Sequence, residues 1–235
     1  MKSDRKNIFR AISEQEVVCL VIIFAVLLLG IALAIYNYAG YRTLIEEDGV
    51  VEWLTAFSLL GCSAICFLRV FKLKGKRSRK FILILFLLGL FFLFGMGEEI
   101  SWGQRIFNID SSDFFLEHNT QEEVNFHNLK IMGVRLNKAV FSLLLGVVIC
   151  VYTFLIPVLY CKFEKVKHFM NTHAIPIPKT YQIVFYLVFM IIVNLMNLPE
   201  QWELLEFVGS AMFLLIFTFP INASIFAVTT KKKIK

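Results

Sequence analysis

Two stretches of this 235-residue chain hold side chains that could move a proton, bind an anion or ligate a metal. The first is Gly97-Glu98-Glu99-Ile100-Ser101-Trp102-Gly103-Gln104-Arg105, directly after a run from Phe81 to Gly97 that carries no charge. Ionisable groups so close to hydrocarbon are costly unless paired or functional. If the helix continues past Gly97, then Glu98, Ser101, Trp102 and Arg105 share one face, and Glu98 can pair with Arg105 across Ser101. Glu99 then points elsewhere, beside Gly103. Glu98 or Glu99 would serve as general base, and Arg105 would hold an anionic group such as a lipid phosphate or a carboxylate. Ser101, Trp102 and Glu52 would complete the substrate face. The same residues also suit a plain helix end, anchored by an interfacial tryptophan with its charges in water.

The second stretch, Phe114 to Asn128, is dense in ligand-type residues. His118 and Glu122 stand four apart, as do Glu123 and His127, so on a short helix each pair would share a face. His118, Glu122 and His127 would form an open shell for a divalent metal such as zinc, with a position left for water. Asn119, Asn125 and Asn128 could orient those ligands. Without metal, His118 or His127 beside Glu98 could act as an acid–base pair. A complete zinc signature such as H-E-x-x-H is not present, and a solvated, capped loop fits the same spacing. Phe107, Ile109, Phe114, Phe115, Leu116 and Phe126 make the segment apolar for one facing water. That composition predicts an interfacial or re-entrant lid that brings both histidines towards Glu98.

The elements that must position these groups are apolar helices. With 58% hydrophobic residues, 25 phenylalanines and a mean hydropathy of +0.70, the chain reads as an integral membrane protein. The predicted architecture is an all-α polytopic bundle in one domain. It has six spans, at about residues 17–36, 50–71, 81–97, 139–161, 181–198 and 207–228, and a partly helical outer loop over 98–138. A Ser13-x-x-Glu16 capping box starts the first span, and Pro157 and Pro220 are expected to bend the fourth and sixth. The five cysteines fall within or at the ends of apolar runs, without disulfide or metal-knuckle spacing.

Charge sets the orientation. With both termini, the 72–80 and 162–180 loops and Arg69 at the end of its span on one side, that side holds 19 of the 24 Lys and Arg but 4 of the 18 acids. The opposite side holds 5 basic and 14 acidic residues. The positive-inside rule then predicts a six-span membrane protein with cytoplasmic N- and C-termini. The net charge of +6 is explained by this asymmetry, so it gives no support to nucleic-acid binding. All three tryptophans fall at the outer boundary, which also gathers Glu52, Glu98, Glu99, Glu200, Glu203 and Glu206. Antiparallel helices would converge these carboxylates over the outer mouth.

The motif Glu98-Glu99-Ile100-Ser101-Trp102-Gly103-Gln104-Arg105, followed by His118-Asn119-x-x-Glu122-x-x-Asn125-x-His127-Asn128, resembles the core of a family of uncharacterised bacterial multipass membrane proteins. The acidic entry Glu46-Glu47-Asp48-Gly49-x-x-Glu52 is similar to theirs as well. The resemblance implies fold and location, and brings no established activity. A slighter resemblance is to the intramembrane CAAX-processing and bacteriocin-processing proteases, whose pattern is Glu-Glu-x-x-x-Arg, then Phe-x-x-x-His, then a further His with Asn. Glu98-Glu99 and Phe114-x-x-x-His118 match it and His127-Asn128 partly echoes it. Arg105 comes two residues late, however, and Gly103 stands at the arginine position.

Two functions follow as expectations. One is a membrane-embedded hydrolase or transferase that works on a lipid-linked or anionic substrate at the outer leaflet, through Glu98, Glu99, His118 and His127. The other is a non-catalytic accessory or cation-binding subunit, whose outer carboxylates attract divalent cations or a basic partner. Membrane lipids are partners in both. A transporter is less supported, because the span interiors carry no charge apart from Arg69 near an inner boundary.

Overall fold

The described part of the chain is a succession of helices, and α1, α2 and α4 among them start at a side-chain cap. A computed structural model describes residues 12–126, 128–131, 134–135, 146–199 and 201–228. Helix α1 (Glu14–Tyr36) opens on the expected capping box: the Ser13 N–H donates to Glu16 Oε2 at 2.8 Å, and the Glu16 N–H donates to Ser13 Oγ at 3.4 Å. Helix α2 (Tyr38–Ile45) is capped by Asn37, whose Oδ1 accepts the Gly40 N–H at 3.1 Å. Most of the expected polar connector 37–49 is therefore helical. Helix α3 (Val50–Leu73) and helix α4 (Arg79–Glu99) follow, the latter capped by Ser78.

Short pieces build the loop: a 3₁₀ turn over Ser101–Gly103, α5 (Gln104–Phe107) and α6 (Asp113–His118). Strands β1 (Lys130–Ile131) and β2 (Val134–Arg135) pair antiparallel, Lys130 opposite Arg135 and Ile131 opposite Val134. Next come α7 (Gly146–Cys150), a π-helical turn over Val151–Leu155, and α8 (Ile156–Lys162). Helices α9 (Glu164–Thr172), α10 (Thr180–Met196) and α11 (Trp202–Thr218) complete the bundle, before a last 3₁₀ turn at Ala223–Phe226.

The architecture is helical, as expected, and the span lengths differ from the forecast. Among the described residues, three helical stretches are long and apolar enough to cross a bilayer: α1 (Glu14–Tyr36), Tyr38–Leu73, which holds α2 and α3, and α4 (Arg79–Glu99). A fourth counts only if Gly146–Lys162 and Glu164–Thr172 form one span across a 120° bend. Residues 139–145 of the expected fourth span lie outside the described residues. The sharp bend comes after Lys162, not at Pro157, which follows directly on the π-helical turn at the start of α8. Helix α10 is a shorter apolar helix of 17 residues. The expected span 207–228 starts five residues earlier, at Trp202, and stops at Thr218. Pro220 ends the helix instead of kinking it: proline disfavours helical backbone at the residue before it, and Phe219 has left the helix at φ −124°, ψ 55°.

Helices α1, α2, α10 and α11 share the main core, where Leu27, Tyr41, Phe189, Leu204 and Met212 are buried. Cys62 and Cys66 of α3 pack with Phe92 of α4 and Phe217 of α11, serving as small apolar residues. Ser63 Oγ donates to the Gly89 carbonyl at 2.9 Å, which ties α3 to α4. The two ends of the bundle differ in chemistry. At one end Glu16 accepts from Lys179 Nζ and Tyr181 Oη, while Gln182 Nε2 reaches the Leu215 and Phe219 carbonyls at 3.4 and 3.2 Å. At the other, Tyr41 Oη donates to the Pro199 carbonyl at 3.1 Å, beneath the acidic loop. Around the bundle, large apolar side chains such as Val18, Val21, Leu29, Phe57, Leu83 and Ile191 are exposed.

Candidate functional site

The site begins where α4 stops. Ser101, Trp102 and Gly103 all take left-handed backbone, with φ of 45°, 54° and 77°. The helix therefore does not run on to Arg105, and the predicted single face of Glu98, Ser101, Trp102 and Arg105 does not form. Only glycine adopts this conformation without cost, so Ser101 and Trp102 are strained by about 1–2 kcal/mol each. Their side chains offset it. Trp102 Nε1 donates to Glu98 Oε1 at 2.8 Å, and its ring lies against Gly97, where an added Cβ would sit 2.9 Å from ring atoms. Ser101 Oγ donates to Glu123 Oε2 in a buried bond.

The turn sends Arg105 away from Glu98 and into a nest of other acids. Its Nη1 meets Glu123 Oε1, and its Nη2 donates to Glu52 Oε1 at 2.8 Å. Its Nε lies 2.9 Å from Asp48 Oδ2, an ionic contact without hydrogen-bond alignment, and Glu47 Oε2 is 3.6 Å from Nη1. Partial burial pulls the arginine pKa down, but Glu123, Glu52 and Asp48 outweigh it and the net shift is upward. Arg105 is thus a fixed cation joining the α2–α3 connection, the start of α3 and the loop. It is occupied, and so does not fit the predicted role of holding an anionic substrate.

The loop docks through the same motif. Glu98 Oε2 accepts the Phe126 N–H at 2.7 Å. Gln104 Oε1 accepts the Val124 N–H and its Nε2 donates to Ser111 Oγ, both at 2.6 Å. Asn125 is buried, and its Nδ2 donates to Ser101 Oγ at 2.9 Å and Glu123 Oε2 at 3.0 Å. Asn119 Nδ2 in turn holds the Asn125 carbonyl and Oδ1, each at 2.9 Å. Both asparagines brace the loop's own backbone, where the sequence suggested that they orient metal ligands. Phe126 stacks on Phe94 of α4, so the lid is seated by apolar contact as well as by charge.

His118 ends α6, and its Nδ1 lies 3.0 Å from the Phe114 carbonyl while its ring stacks on Phe114 at 4.8 Å. Glu122 follows in a turn with φ 60°, exposed, so it shares no helix face with His118. Glu123 is likewise outside any helix, taken up by Arg105, Ser101 and Asn125. His127 and Glu200 lie outside the described residues. Among the described residues no group of three or more His, Cys, Asp or Glu is placed to hold a metal ion. Of the expected shell of His118, Glu122 and His127, the first two are not aligned on one helix face, because the helix ends at His118, and the third lies outside the described residues.

The carboxylates do converge. Glu99 is half-buried at the mouth, with Glu206, Glu203, Glu52 and Glu98 as its charged neighbours. Its side chain makes no hydrogen bond or ion pair among the described residues. Sequence reasoning named most of this face but missed Glu123 as the partner of Arg105 and Gln104 as the clamp on the loop. The signal for Gln104 was its place inside the tryptophan motif. For Glu123 no local spacing could have given the pairing.

Fold and site together define an apolar helical protein with an acidic, charge-locked loop over one end. Compared with family models, curated proteins and solved structures, the chain matches none of them.

Proposed function

We propose that this is a six-span protein of a bacterial cytoplasmic membrane, with both termini in the cytoplasm, and that it serves as a non-catalytic membrane component. Its outer loop is a preformed acidic platform for a basic segment of a partner protein. The exposed apolar belt over α1, α3, α4 and α10 supports the membrane setting, since monomeric soluble proteins rarely expose patches of that extent. The observation that carries the functional reading is the saturation of the conspicuous motif by itself. Arg105, Ser101, Glu123, Asn125, Glu98 and Trp102 are bonded to one another, and His118 is turned onto its own helix. What the locked loop leaves for a partner is its exposed acids, among them Asp110, Asp113, Glu117 and Glu122.

A second reading rests on Glu99, a mouth carboxylate that makes no hydrogen bond among the described residues. It would be the general base of a hydrolase or transferase acting on a lipid-linked substrate. One experiment separates the two. A photo-crosslinking residue placed at position 117 or 122 in the full chain is expected to capture a partner in native membranes, with yield falling at high salt. Glu99→Gln and His118→Ala are expected to leave that yield unchanged. No adduct at either position would overturn the platform, and an adduct abolished by Glu99→Gln would favour the catalytic reading.

A further inference from the structure

The opposite end of the bundle holds two arginines that have no acidic partner among the described residues, both set on one aromatic pair. Arg69, on the last turn but one of α3, places its guanidinium carbon 3.8 Å from the ring centroid of Phe226. Arg77, on the α3–α4 connection, lies 5.7 Å over Phe81, and the Phe81 and Phe226 rings are 6.0 Å apart. Arg77 Nη2 also donates to the Ala227 carbonyl at 3.4 Å, which keeps the two guanidinium groups on the same corner. Leu73, Phe81, Leu85 and Ala174 form a buried apolar floor beneath them.

The corner is incomplete as it stands. Arg69 Nη1 is buried and has no hydrogen-bond partner among the described residues, although a buried unpaired guanidinium N–H is among the costlier polar groups to leave unsatisfied. Stacking on Phe226 stabilises the charge through the ring face and cannot satisfy that N–H. No acid among the described residues pairs with it. The neighbouring residues Lys72, Lys74, Lys76, Arg79 and Lys80 are all basic. Leu68 and Phe71, to either side of Arg69, are exposed apolar side chains. A ligand suited to this corner is anionic, accepts several hydrogen bonds and lies beside hydrocarbon.

We propose that Arg69 and Arg77, held on the Phe81–Phe226 pair, bind the phosphate of an anionic phospholipid headgroup at the basic end of the bundle. A phosphodiester offers two oxygens to a guanidinium fork, and its acyl chains run along the exposed face of α3. Net negative charge on the lipid is required, because the surrounding lysines attract it and a zwitterionic headgroup cancels that attraction. The site does not depend on the role of the acidic loop at the other end.

The test uses the full chain purified in detergent, with native mass spectrometry reading retained lipid after addition of phosphatidylglycerol or phosphatidylcholine. Wild-type protein is expected to retain phosphatidylglycerol about tenfold over phosphatidylcholine. Arg69→Gln is expected to remove that preference, Arg69→Lys to keep part of it, and Arg77→Gln to lower it severalfold. Arg42→Gln, an exposed change at the far end, should leave it intact. If Arg69→Gln does not yield folded protein, Arg77→Gln decides, since that side chain sits on the surface connection. Wild-type preference in a folded Arg69→Gln or in Arg77→Gln overturns the site. Full displacement of phosphatidylglycerol by millimolar inorganic phosphate overturns the lipid assignment in favour of a soluble anion.

Discussion

Replacing Arg105 by glutamine removes a cation in contact with four carboxylates, and the structure sets the size of the effect. The arginine side chain is 24% exposed, Glu123 is 10% and Glu52 12%, whereas Asp48 and Glu47 are 52% and 54% exposed. The two outer contacts are screened by water and contribute about 0–1 kcal/mol each. The two inner ones are charge-assisted bonds of about 1.5–3 kcal/mol each, reduced somewhat because the arginine touches solvent. Glutamine recovers part of one. The net loss is about 2–4 kcal/mol, and it falls on the loop because the helices below are packed independently of it. Hydrogen exchange read by mass spectrometry on the detergent-purified chain is the assay. Amides of residues 119–126 should exchange roughly 30- to 1000-fold faster in Arg105→Gln, since each 1.4 kcal/mol is a factor of ten, while α1 and α3 keep their protection. Arg105→Lys should fall between, because an ammonium cannot span Glu123 and Glu52 as the planar fork does. Unchanged loop exchange in Arg105→Gln would show that the seating of Phe126 and the bonds from Glu98, Gln104 and Ser101 hold the lid without the arginine. It would also remove the claim that charge locks the platform.

Gly97→Ala places a methyl carbon 2.9 Å from the Trp102 ring, so it should displace that ring, break its bond to Glu98 and cost about 1–3 kcal/mol. A red-shifted tryptophan emission with faster loop exchange is expected, and an unaltered spectrum would count against the close approach. At the other end, Glu16→Gln leaves Lys179 without its buried counter-charge, and the thermal midpoint should fall. The double change Glu16→Gln with Lys179→Met should recover most of the loss, because the penalty lies in the orphaned charge and not in the missing pair. Equal losses in the single and double variants would refute that account.

Much of this molecule is legible in one dimension because its rules are local. The Ser13–Glu16 capping box, the helices over α1, α3 and α4 and the uneven placement of Lys and Arg each depend on residues close together in the chain. The convergence of Glu52, Glu98, Glu99, Glu203 and Glu206 was also within reach, since antiparallel helices return to the same end. The partners of individual side chains were not. Extending the helical period past Gly97 pairs Arg105 with Glu98, but the left-handed turn at Ser101–Gly103 breaks the period and delivers Arg105 to Glu123, Glu52 and Asp48. The His118–Glu122 spacing suggests a metal face only while the helix lasts, and it ends at His118. Spacing in sequence dictates neighbours only inside a regular element. Once the backbone leaves it, hydrogen bonds between residues 18 to 53 positions apart, such as Arg105 to Glu123 and to Glu52, decide what meets what.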